Sequence, residues 1–111
     1  MGIFSKLPGN NVISAKEARQ RMEQGGNIIV LDVRTPEEYR QKRIDGAKLI
    51  PVDEIESRAS AELPDKNAPI MVYCHSGARA GTAVRLLIDR GYTNVASFGG
   101  IMDWPFDTVR G

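Results

Sequence analysis

Pro69-Ile70-Met71-Val72-Tyr73-Cys74-His75-Ser76-Gly77-Ala78-Arg79 runs from an apolar stretch straight into a polar, glycine-bearing loop, and the only cysteine of the chain stands at the junction. A short, unbroken apolar run bounded by turn residues fits a strand buried on both faces, as in a parallel sheet. Residues 80–90 follow with Ala83, Val84, Leu86, Leu87 and Ile88 at helical spacing, and Gly91 stands where a glycine closes a helix. The stretch reads as strand, loop and helix, with Cys74 at the carboxyl end of the strand and the loop facing the helix N-terminus. Free N–H groups and the helix dipole favour an anion there. Such a setting lowers a thiol pKa from about 8.5 and makes the thiolate available as a nucleophile.

The same alternation extends upstream. Ser14 and Glu17 have the spacing of a capping box, and Gly25-Gly26 ends the helix they open. Ile28-Ile29-Val30-Leu31, continuous and branched, predicts a second buried strand, with Asp32 and Arg34 at its end. Thr35-Pro36-Glu37-Glu38 repeats the capping logic and opens a helix to about Lys42. Residues 44–51 suggest a turn and a short strand, and residues 53–63 a third helix. Downstream, residues 94–98 form a last strand, and Gly99-Gly100 leads into a turn holding Trp104. Strands alternating with helices imply an α/β fold, a parallel sheet with helices on both faces, whose ligands bind beyond the carboxyl ends of the strands. Asp32 to Arg34 and Cys74 to Arg79 both fall at such ends.

Composition narrows the function classes. The chain has 111 residues, 41% of them hydrophobic and 26% charged, which fits one soluble domain with a single core. A net charge of +1 gives no global basic surface for nucleic acid or anionic membrane. No apolar run approaches the roughly 20 residues that cross a bilayer, so the cytoplasm is the expected location. One cysteine excludes an internal disulfide, and with His75 as the only histidine a metal site has too few ligands. No metal and no other cofactor is expected.

Within the loop, Gly77 permits a backbone that curls round the thiol with its N–H groups inward, an anion cradle lined by His75, Ser76 and Ala78. Arg79 adds a permanent charge suited to a sulfonate or phosphate oxygen. Asp32 and Arg34 read as a supporting strand-end pair, Arg34 being a secondary substrate contact. Gly99, Gly100 and Trp104 read as fold elements.

These residues resemble the rhodanese family in its single-domain form. The resemblance rests on Leu31-Asp32-Val33-Arg34-Thr35-Pro36-Glu37-Glu38-Tyr39, Ile44-Asp45-Gly46-Ala47 with Ile50-Pro51, Val72 to Arg79, and Gly99-Gly100-Ile101 with Trp104. It implies a three-layer fold with a mainly parallel sheet of about five strands, residues 11–108 forming the domain, 1–10 an N-terminal extension and 109–111 a tail. It also implies transfer of sulfane sulfur through a persulfide on Cys74, from a small donor such as thiosulfate to a small acceptor or a sulfur-accepting protein. Lys42-Arg43-Ile44 stands where the family commonly has Gly-His-Ile, and Ala80 where a serine often follows the loop arginine. Two other readings compete with this one. A persulfide carrier would act with a partner docked near Lys42 and Arg43. A cysteine-based phosphatase would need one residue more than the four, His75 to Ala78, that separate cysteine from arginine here.

Overall fold

Strand β1 (Ile29–Asp32) pairs in parallel with β2 (Lys48–Leu49) on one side and with β3 (Ile70–Cys74) on the other, and β3 pairs in parallel with β4 (Val95–Gly100). The computed structural model describes residues 11–111, so the extension placed at residues 1–10 lies outside the described residues. The strand order β2-β1-β3-β4 changes sense between β1 and β3, the position beyond whose carboxyl ends open α/β sheets bind their ligands.

Among the described residues the sheet has four strands rather than about five. At the β4 edge the expected fifth is reduced to one parallel bridge between Val12 and Ser97, framed by bonds from Ile13 N to Ser97 O and from Ser97 N to Asn11 O. The chain leaves the edge at once because Ser14 caps helix α1 (Ala15–Gln24), its hydroxyl accepting the Glu17 N–H at 3.0 Å.

Alternation along β3 divides the core. Ile70, Val72 and Cys74 face one apolar cluster with Ile55 and Ala59 of helix α3 (Ile55–Glu62) and Ala80, Ala83, Val84 and Leu87 of helix α4 (Ala78–Asp89). Met71 and Tyr73 face the other, with Ala18 of α1, Phe98 and Trp104. Trp104 packs on Phe98 and edge-on to Phe106, with ring centroids 5.4 and 4.9 Å apart, as aromatic cores favour. Helix α2 (Pro36–Gln41) opens with the full capping box: Thr35 Oγ1 accepts the Glu38 N–H, and Glu38 accepts the Thr35 N–H.

Residues 109–111 lie along the exit of α2. Arg43 and Val109 exchange both backbone hydrogen bonds, and Gly111 N–H donates to Arg40 O. Among the described residues no helix is long and apolar enough to cross a membrane.

Candidate active site

Cys74 ends β3 and is 1% exposed. Burial alone would suit a thiol packed as a small apolar residue. Its sulfur, however, accepts the Gly77 N–H at 3.0 Å and the Ala80 N–H at 3.3 Å, and a core thiol has no need of two such donors. The loop is short, because α4 begins at Ala78; Ala78 and Arg79 belong to its first turn, two residues earlier than the apolar periodicity suggests. First-turn N–H groups have no carbonyl inside their own helix, and here one of them points at sulfur. Gly77 makes the turn as N-cap with φ 115° and ψ −21°, a conformation that favours glycine. His75, Ser76 and Ala78 are exposed around it, and Gly77 is half-buried.

The loop is shaped from outside by β4. Between Val72 and Cys74 the register against β4 slips, so that Val72 pairs with Ser97 but Cys74 with Gly100. The extra residue is accommodated at Gly99, whose φ is 90°. The bulge brings Gly100 so near the loop that a Cβ on it would stand 1.9 Å from His75 O and 2.6 Å from Ser76 Cα. Met102 N–H then donates to His75 O at 3.2 Å. In a trans peptide the N–H lies opposite the carbonyl, so fixing His75 O against this end of β4 turns the Ser76 N–H away from it. Gly99 and Gly100 are thus part of the site's mould, a role that local sequence did not disclose.

Arg79 does not present a free fork beside the thiol. Its Nη1 and Nη2 bind Glu38 Oε1 and Oε2 at 2.8 and 3.1 Å, and Glu38 was legible only as the capping partner of Thr35. The paired Arg79 N–H groups, against some cost of burial and with help from Thr35, hold the Glu38 carboxyl down at about 2. The same pairing raises the Arg79 guanidinium.

Asp32 and Arg34 form a second pair, with Nη2 to Oδ2 at 2.8 Å and the Arg34 N–H on Oδ1 at 2.9 Å. Arg34 is 3% exposed, also donates to Lys42 O, and lies over the Tyr73 ring, so it braces the end of β1 against the exit of α2. Of the basic pair at which a carrier would dock its partner, Arg43 is half-buried, stacked on Tyr39 and bonded to Gly111 O, while Lys42 stays exposed.

Comparison with known proteins identifies the family. The rhodanese-like domain family matches residues 14–105. Thiosulfate sulfurtransferase PspE of Escherichia coli K12 is 41% identical over 81 residues, which cover 73% of this chain and 78% of that protein. A sulfurtransferase of Allochromatium vinosum is 36% identical over 95 residues, 85% of this chain and 87% of its own. Among solved structures, a rhodanese with anions from E. coli superposes with a TM-score of 0.71 at 39% identity, covering 76% of this chain and 99% of that one.

Proposed function

The chain belongs to the rhodanese-like domain family, and on that footing we propose that it is a sulfurtransferase whose Cys74 thiolate takes the outer sulfur of an anionic donor such as thiosulfate. Sγ attacks the sulfane sulfur, the S–S bond of thiosulfate breaks, and its electron pair departs with sulfite. Cys74 is left as a persulfide anion, with total charge conserved. A thiophilic acceptor, cyanide for example, then attacks the terminal sulfur, forming thiocyanate and restoring the thiolate. No second cysteine can resolve the persulfide within the chain, so the acceptor is external, a small molecule or a sulfur-accepting protein.

The observation that carries this reading is the pair of N–H bonds from Gly77 and Ala80 to Sγ. Donors aligned before reaction stabilise charge on sulfur without reorganising when it develops. His75, Ser76, Gly77 and Ala78 line the approach, Arg79 stands beside it in its pair with Glu38, and Asp32 with Arg34 holds the strand end beneath them. The lone unpaired thiol fits a reducing compartment, and we assign the cytoplasm.

Mass spectrometry after thiosulfate exposure tests the proposal. The parent protein should gain the mass of one sulfur atom and lose it to cyanide, whereas Cys74→Ser should fold and gain nothing. Full thiosulfate:cyanide activity in Cys74→Ser would remove Cys74 from the reaction.

A further inference from the structure

Both arginines suited to meet an anion at the strand ends are already matched by a carboxylate, Arg34 by Asp32 and Arg79 by Glu38. The Glu38 carboxylate is held from two elements at once. It receives Arg79 Nη1 and Nη2 at 2.8 and 3.1 Å and the Thr35 N–H and hydroxyl at 2.9 and 3.1 Å. The pair is only partly covered, with side-chain exposures of 36% for Arg79 and 30% for Glu38, and the Arg79 guanidinium lies within reach of the Cys74 charge. A donor therefore meets backbone N–H groups, which carry partial charges, beside a guanidinium whose full charge is balanced. Such a site compensates one negative charge on the donor better than two.

Resting on the sulfurtransferase reading, we propose that Glu38 is a specificity-determining residue that acts through Arg79: by holding the guanidinium in a neutral pair, it tilts the site towards singly charged sulfane-sulfur donors and away from dianionic thiosulfate. Glu38 is a positioning residue in this scheme. It touches Arg79 and neither the thiol nor the sulfur in transfer.

The test compares kcat/KM for thiosulfate, a dianion, with that for benzenethiosulfonate, a monoanion that delivers the same sulfane sulfur and releases a sulfinate, with cyanide as acceptor for both. Glu38→Gln keeps an oxygen for Arg79 and Thr35 but removes the charge. It should raise the thiosulfate-to-benzenethiosulfonate ratio by roughly three- to tenfold, chiefly through a lower KM for thiosulfate, and added salt should erode the gain. Arg79→Gln should lower the ratio by a similar factor, and the double variant should return towards the parent. A ratio that stays put or falls in Glu38→Gln, or equal losses with both donors, would overturn the proposal. Should Glu38→Gln fail to fold, an unmoved ratio in Arg79→Gln would overturn it equally. Absence of transfer from either donor in the parent would instead count against the sulfurtransferase reading itself.

Discussion

Gly100 has no room for a methyl group, since its Cβ would fall 1.9 Å from the His75 carbonyl oxygen, and backbone cannot move aside as a flexible side chain can. Gly100→Ala should force the loop off the sulfur, costing about 1–3 kcal/mol of stability and at least tenfold in kcat/KM for sulfur transfer, read by urea unfolding and by the thiosulfate:cyanide assay. Gly81 is the contrasting case. It lies inside α4, where a methyl group would meet nothing within 4 Å, so Gly81→Ala should stabilise by about 0.5–1 kcal/mol in the same unfolding measurement. Transfer activity preserved in full in Gly100→Ala would mean that the loop does not need the mould assigned to it.

At the level of elements, α2 ties its own start to the first turn of α4 through Glu38. Because that carboxyl is held at about 2 against an ordinary 4.5, its contribution to stability is complete above about pH 5 and is lost as pH falls through 2. The parent should therefore exceed Glu38→Gln in thermal midpoint near neutrality, and the difference should shrink to nothing in acid; a constant difference across that range would refute the linkage. The helix caps and most elements were legible in the sequence because their signals are local: Ser14 as the cap of α1, where Glu17 turns to Arg21 instead of completing the box, Thr35 with Glu38, and the unbroken apolar runs of β1 and β3. The placement of Cys74 at a strand end before a helix was legible for the same reason. The Glu38–Arg79 pair was not, since it joins separate helices, and the start of α4 was obscured because Ala78 and Arg79, ahead of the buried Ala80, bury no apolar side chain. The β4 bulge was hidden too, as glycines mark a special backbone without saying what approaches it.

Across the whole molecule, Tyr73 ties the central strand to the chain entering β2, buried in the α1 side of the core while its hydroxyl accepts the Ile44 N–H at 3.1 Å. Burial, with the nearby Asp32 charge adding to it, pushes this phenol above its usual range, so it stays protonated throughout the working pH. Tyr73→Phe leaves the Ile44 N–H without its partner and should cost about 1–3 kcal/mol, measured by urea unfolding; a neutral change would show that the bond contributes nothing net. The single bridge at Val12 belongs to this scale as well, because how far residues 11–13 extend the sheet is decided by how soon Ser14 starts a helix. The Gly100 contact, finally, bears on portability. Residues 74–79 transplanted into a foreign strand–helix junction would carry the nucleophile and leave behind the second chain segment that casts its shape. A working graft must import the β4 terminus with the loop, and any lengthening of the loop must be matched by a change in a distant strand.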